Sequence, residues 1–161
     1  MKTYIQFILK IYMTALINIF LIFFSLIFIL NLLTELEFFK EIQVNSFYPL
    51  YLSLINTPMF VFEMLPFIFL ISTQVFFNNL FSNNEMNILK YSGLKNSKIF
   101  SILSITTFLL GIFLVFIFYN FSSNLKYFYL GLKSNYTTDN KYLAVITNNG
   151  LWIKDINDNK T

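Results

Sequence analysis

The side chains that could do chemistry are few in this chain, and most are lysines and carboxylates. The 161 residues include 11 basic and 8 acidic ones, no histidine and no cysteine, and every basic residue is a lysine. The chain therefore lacks the commonest general base and metal ligand, and it lacks thiolates and disulfides. A catalytic centre would have to use carboxylates such as Glu63 and Asp139, and no spacing supports one. We expect no enzymatic activity, no cofactor and no metal.

The segment 82–94 carries the most specific pattern of polar and apolar residues. Ser82, Asn83 or Asn84 can cap a helix, Glu85 suits its positive end, and Gly93 can take a left-handed conformation after its last turn. The pattern predicts a short amphipathic helix over about 83–93, lying on a membrane surface. A plain connector with a surface carboxylate explains the same residues equally well.

The composition on either side of this segment is that of a membrane protein. The chain is 57% hydrophobic and 12% charged, whereas a soluble domain is usually about 25% charged. Three apolar stretches reach the roughly 20 residues that cross a bilayer, at about 11–33, 56–79 and 99–121. Pro58 and Pro66 predict a kink in the second. We therefore predict an α-helical membrane protein whose transmembrane region is 1–121.

The chain changes character after the third stretch. Residues 122–133 carry apolar side chains on one helical face, and we assign 122–141 to a connecting segment. Two short apolar runs then flank Asn148-Asn149-Gly150, which predicts a β-hairpin within 142–161.

The lysines indicate an orientation, because cytoplasmic loops are enriched in basic residues. The N-terminal tail and the connector between the second and third spans hold five of the 11 lysines, namely Lys2, Lys10, Lys90, Lys95 and Lys98. The first connector has only Lys40. This predicts the N-terminus inside and the C-terminus outside, although Lys126 and Lys133 argue mildly against it.

Three of these features together resemble the LptF/LptG permease family, which exports lipopolysaccharide. They are Pro66-Phe67 in the second span, Asn84-Glu85 through Ser92-Gly93-Leu94, and Asn149-Gly150-Leu151-Trp152-Ile153-Lys154-Asp155. The segment that begins Asn149-Gly150-Leu151-Trp152 is more similar to LptG than to LptF. The resemblance implies that Gly150 and Trp152 open a periplasmic β-jellyroll. Because side chains alternate between the two faces of a strand, we expect Trp152 to pack in its core, and a contact with lipid is the alternative. It covers only the front half of a six-span pattern, so we expect a fragment or one half of a split permease.

The resemblance also implies partners. Family members pair with a second permease, bind two copies of a cytoplasmic ATP-binding subunit, and pass lipopolysaccharide from the inner membrane through their jellyrolls to a periplasmic bridge protein. This chain has no Gly-x-x-x-x-Gly-Lys-Ser/Thr loop for ATP. It would be the multi-pass membrane part of an ABC transporter that serves outer-membrane biogenesis, with no nucleic-acid partner.

The family's functional positions fall on a few residues here. The helix over 83–93 resembles the coupling helix, which implies that Glu85 pairs with a basic residue of the ATPase, that Met86, Ile88 and Leu89 are apolar anchors, and that Gly93 ends the helix. Candidate contacts to substrate are Asn31, Lys40 and Glu63. Asn31 stands where LptG-type members are basic, which leaves Lys40 as the candidate phosphate partner. Lys40 is equally explained as a loop lysine paired with Glu37 or Glu41, and Glu63 as a carboxylate at the outer interface.

Two other classes of function remain open from the sequence. Three helices and a short outer tail would also fit a non-catalytic membrane adaptor or assembly protein. A small membrane-embedded lipid-modifying enzyme is the third hypothesis.

Overall fold

A computed structural model of the chain describes residues 3–40, 42, 44–45, 47–136, 144–147 and 150–153. Within these ranges it is a helical bundle followed by a two-stranded hairpin. The helices are α1 (Thr3–Phe38), α2 (Phe47–Glu63), α3 (Leu65–Ser82), α4 (Glu85–Tyr91), α5 (Asn96–Phe113) and α6 (Tyr119–Ser134). A π-helical turn at Leu114–Phe118 joins α5 to α6.

Three helical segments are long and apolar enough to cross a membrane: Thr3–Phe38, Leu65–Ser82 and Asn96–Ser134. Their outer faces expose large apolar side chains such as Leu26, Leu70 and Phe116. Such surface is stable in hydrocarbon and not in water. The prediction of a multi-pass membrane protein is confirmed.

The second predicted span is interrupted, as its prolines suggest. Helix α2 ends at Glu63, and α3 begins at Leu65 with Pro66 in its first turn. The N–H of Met64 donates to the carbonyls of both Phe60 and Val61, each at 3.1 Å. Proline has no N–H to continue the ladder. Pro58, by contrast, lies inside α2 without ending it.

Buried side chains form three clusters along the bundle. One, which we call the α4 end, joins the start of α1 to α3, α4 and α5 through residues such as Tyr12, Phe76, Leu89 and Ile99. A middle cluster contains Val61 and Ile68, with Phe20, Phe62 and Phe118 packed against it. The last, the α6 end, contains Phe39, Leu52, Ile55 and Tyr129. The two ends of the bundle therefore have separate cores.

The hairpin consists of β1 (Ala144–Thr147) and β2 (Gly150–Ile153), which pair antiparallel with Val145 opposite Trp152 and Thr147 opposite Gly150. The strand pair matches the predicted hairpin, while its turn residues Asn148 and Asn149 lie outside the described residues. The connecting segment is helical to Ser134, and its residues 137–141 lie outside them too, as do Lys2, Glu41, Asp139 and 154–161. A complete jellyroll stays a prediction.

Candidate functional site

A polar pocket lies at the α6 end, where α1, α2 and α6 meet. Its volume is about 310 Å³. We call it the lysine pocket, and the residues that define it are Asn31, Glu35, Asn56, Lys126, Tyr129 and Lys133. Each helix places its polar side chains on the face toward the other two helices, which is how membrane helices keep polar groups out of lipid.

A relay of hydrogen bonds crosses the pocket from α6 to α1. The ammonium of Lys126 donates to Asn56 Oδ1 at 2.7 Å, and Asn56 Nδ2 donates to Asn31 Oδ1 at 3.4 Å. Asn31 Nδ2 then donates to Thr57 Oγ1 at 3.3 Å. Asn56 is only 5% exposed. A buried amide is stable when its donor and acceptor are both used, and the relay uses both groups of Asn56.

A buried ion pair forms the other wall. Glu35 is 1% exposed, and its two oxygens accept hydrogen bonds from Lys133 Nζ at 2.9 and 3.0 Å. The hydroxyl of Tyr129 donates to the same carboxylate at 2.6 Å. Burying a carboxylate is costly unless it is paired and hydrogen-bonded. Here both conditions are met, so the charge of Lys133 is neutralised within the chain.

Lys126 differs from Lys133 in the groups that its ammonium contacts. Its side chain is half-buried, and it forms no ion pair with a carboxylate of the described residues. Its ammonium lies 4.9 Å from the ring centroid of Tyr129 and 5.1 Å from that of Phe60. Ring faces attract a cation without neutralising it, and the bond to Asn56 uses one of its three donors. The pocket therefore contains a positively charged ammonium, that of Lys126, which can donate further hydrogen bonds.

The position of the pocket along the helices can be compared with the thickness of a bilayer. About 20 residues separate Lys10 from Leu30, Asn79 from Phe60, and Lys98 from Tyr119. At 1.5 Å per residue each stretch covers about 30 Å, the thickness of the hydrocarbon core. Asn31, Asn56 and Lys126 lie one, four and seven residues beyond these stretches, which is within roughly 10 Å of their ends.

The structure separates the predicted substrate contacts. Asn31 lines the pocket, whereas Lys40 and Glu63 do not and have exposed side chains. Lys40 forms no ion pair with a described residue, so the pairing with Glu37 is absent. From the sequence, Lys126 and Lys133 bear only on the orientation of the chain in the membrane. Their spacing with Tyr129, at i, i+3 and i+7, places them on one helical face and was the signal that could have identified them.

At the opposite end, α4 is the predicted short helix, with its end fixed by backbone geometry. Gly93 has a φ of +80°. Its N–H donates to Lys90 O at 2.9 Å, and the N–H of Leu94 donates to Leu89 O at 3.1 Å. These bonds form a Schellman motif, with Leu94 and Leu89 buried in the same cluster. Asn84 precedes the helix at a φ of 56° and makes no side-chain cap.

The apolar residues of α4 divide between two faces. Met86 and Leu89 are each 4% exposed and pack into the chain's own core. Of the three predicted anchors for a partner, only Ile88, 61% exposed, faces outward, and it is joined by Tyr91, which is 90% exposed. Residues three apart share a helical face, so Met86 and Leu89 turn inward together, while Ile88 and Tyr91 turn outward.

Comparisons with known proteins place these features in one family. The protein-family model described as lipopolysaccharide export system permease LptF/LptG matches residues 6–160. No curated protein and no solved structure matches the chain.

Proposed function

The chain belongs to the LptF/LptG family of lipopolysaccharide export permeases, and on this basis we propose that it is a transmembrane subunit of an ABC transporter that extracts lipopolysaccharide from the inner membrane. A second permease of the family and two ATP-binding subunits complete the transporter. The hairpin at Gly150 and Trp152 begins the jellyroll that hands the lipid to a periplasmic bridge protein. Hydrolysis of ATP takes place in the separate subunits.

The lysine pocket is where we place the headgroup of the lipid. The observation that carries this proposal is the ammonium of Lys126, which is half-buried beside Asn31 and Asn56 and forms no ion pair with a described carboxylate. We place this ammonium at the depth of the lipid headgroups. A phosphate on lipopolysaccharide would accept charge-assisted hydrogen bonds from Lys126, and these are stronger than bonds between neutral groups. The amides would complete its coordination. Lys133 contributes less because Glu35 already neutralises it.

The test compares two lysines of the same region in the assembled transporter. Lys126→Gln should lower the amount of lipopolysaccharide that copurifies with the complex by about tenfold, because a hydrogen bond to a charged group contributes about 1.5–3 kcal/mol. Lys40→Gln is the matched control, since Lys40 is exposed and outside the pocket. Equal losses in both variants, or a loss only in Lys40→Gln, would move the phosphate contact out of the pocket.

The exposed face of α4 is where we place the contact with the ATP-binding subunit. Ile88 and Tyr91 supply apolar area outside the membrane spans. Glu85 remains the carboxylate proposed to pair with a basic residue of that subunit, through Oε1, since Oε2 is buried. Three further residues contribute to this contact only indirectly. Met86 and Leu89 pack α4 onto the bundle, and Gly93 ends the helix. Contiguous exposed apolar patches mark protein interfaces, and Ile88 and Tyr91 are neighbours on one face of α4.

Single substitutions separate these two roles. Ile88→Ala and Tyr91→Ala should abolish copurification of the ATP-binding subunit while the amount of inserted chain stays normal. Met86→Ala and Leu89→Ala remove buried side chains, which costs about 2–5 kcal/mol, so they should lower the amount of inserted chain. Retention of the subunit by the Ile88 and Tyr91 variants would refute docking on this face.

We place the α4 end in the cytoplasm. Lys10, Lys90, Lys95 and Lys98 all lie near that end, on or beside α1, α4 and α5, and lysine excess marks the cytoplasmic side. Because the chain has no cysteine, single cysteines can report on it cleanly. In intact spheroplasts, a membrane-impermeant maleimide should label Lys40→Cys and not Tyr91→Cys. The reverse pattern would invert the orientation.

A further inference from the structure

A groove at the α4 end takes no part in the proposed binding of lipopolysaccharide. It has a volume of about 290 Å³ and lies between the start of α1, the end of α3 and the start of α4. The residues that matter here are Phe7, Lys10, Ile11, Asn79, Asn83 and Glu85. We call it the α4 groove.

The α4 groove contains two opposite charges that do not meet. Lys10 and Glu85 both line it, yet they form no ion pair. Glu85 Oε2 is buried and has no hydrogen-bond partner among the described residues. An unpartnered buried oxygen of a carboxylate is costly. A single ligand with a negative and a positive group would compensate both charges at once.

The position of the groove indicates what kind of ligand this is. Lys10 and Asn79 stand at the ends of the apolar stretches that cover the hydrocarbon core, about 30 Å from the opposite boundary. The groove is therefore at the headgroup depth of the leaflet on this side. Phe7 and Ile11 are its apolar residues on α1, and the exposed apolar surface of α1 continues from there into the span, where acyl chains can pack.

We propose that the α4 groove binds a zwitterionic phospholipid with a primary amine, phosphatidylethanolamine, from the leaflet at the α4 end. Lys10 and the amides of Asn79 and Asn83 take its phosphate, and Glu85 Oε2 accepts a hydrogen bond from its ammonium. The lipid thereby bridges α1 to the start of α4, the helix whose outer face carries Ile88 and Tyr91. This inference requires insertion in a membrane but not the binding of lipopolysaccharide.

The test measures which lipids the assembled transporter retains. The complex is reconstituted in vesicles of phosphatidylethanolamine and phosphatidylglycerol, extracted, and analysed by native mass spectrometry. We expect phosphatidylethanolamine to be enriched at least about fivefold over its share in the vesicle, the effect of roughly 1 kcal/mol. Phosphatidylcholine in its place should not be enriched, because its quaternary ammonium has no N–H to donate. No enrichment, or equal enrichment of the two zwitterionic lipids, overturns the proposal without any variant.

Variants assign the two charges. Glu85→Gln should bring the ratio of phosphatidylethanolamine to phosphatidylglycerol close to that of the vesicle, while Lys10→Gln should lower retention of both lipids. The ratio is read only on complexes that retain the ATP-binding subunit, because Glu85→Gln also removes the proposed charge pairing with that subunit. Lys98→Gln is the control, because Lys98 lies at the same end, over the ring of Tyr4 at 5.7 Å, and outside the groove. An unchanged ratio in Glu85→Gln, or the same loss in Lys98→Gln, overturns the proposal. Binding of lipopolysaccharide, measured in the same samples, reports separately on the lysine pocket.

Discussion

Glu35 and Lys133, 98 residues apart in sequence, form a bidentate ion pair that holds the end of α1 against the end of α6. Glu35 is almost completely buried, and this partner offsets the cost of burying a carboxylate. Glu35→Gln should destabilise the chain by about 3 kcal/mol, because it leaves the ammonium without this carboxylate. Thermal unfolding in detergent, followed by circular dichroism, should show a fall in Tm of roughly 10 °C.

The control for this variant lies two residues away. Glu37→Gln changes an exposed carboxylate of the same helix that forms no ion pair with a described residue, and it should leave Tm unchanged. Replacing both partners by apolar residues, Glu35→Leu with Lys133→Met, should recover part of the loss because neither charge then stays buried alone. A Tm for Glu35→Gln equal to that of Glu37→Gln would show that the pair does not stabilise the fold.

The end of α4 requires glycine at position 93 because of its backbone conformation, and not because a larger side chain would collide with its surroundings. Its φ is +80°, and no neighbouring atom lies within 4 Å of the point that a Cβ atom would occupy. Gly93→Ala should therefore cost about 1–2 kcal/mol of local stability through backbone strain. The measurement is limited trypsin cleavage after Lys90 and Lys95, which should become at least about fivefold faster. Gly93→Asn should be affected less, since asparagine tolerates this region better.

Gly131 provides the matched control for that comparison. It lies inside α6 with open space around it, and its φ is not positive. Gly131→Ala should be neutral or stabilising by up to about 1 kcal/mol, since alanine is the better helix former. If both glycine variants accelerate cleavage equally, the Schellman motif is not what holds α4.

The parts of the fold that depend on local pattern were predictable from the sequence. The three apolar stretches, the break before Pro66 and the end of α4 at Gly93 all follow from residue type and spacing. The lysine pocket was not predictable in the same way. It depends on Lys126 meeting Asn56 across 70 residues, and sequence spacing carries no information on which faces of distant helices meet. The same holds for Met86 and Leu89, whose apolar character fits an outer anchor and an inner core equally well.

The π-helical turn at Leu114–Phe118 predicts an unusual tolerance to deletion. Its bonds close i→i+5 loops, one residue wider than in an α-helix. Removing Val115, which is exposed, should convert the turn to α-helix and leave Lys126 on its present face. Removing Ile105 from α5 should instead rotate everything beyond it by about 100°. We expect the first deletion to retain lipopolysaccharide and the second to lose it, with both chains inserted, as measured by copurification.

The hydroxyl and the ring of Tyr129 make separate contacts, and we expect them to have separate roles. The hydroxyl donates to Glu35 at 2.6 Å, and the ring lies 4.9 Å from the ammonium of Lys126. Tyr129→Phe should lower the free energy of unfolding by about 1.5–3 kcal/mol, the contribution of a hydrogen bond to a charged group, while retention of lipopolysaccharide stays near wild type. Tyr129→Leu removes the ring as well, so it should lose both stability and lipid. Retention by the leucine variant equal to that of the phenylalanine variant would show that the ring does not hold Lys126 in the pocket.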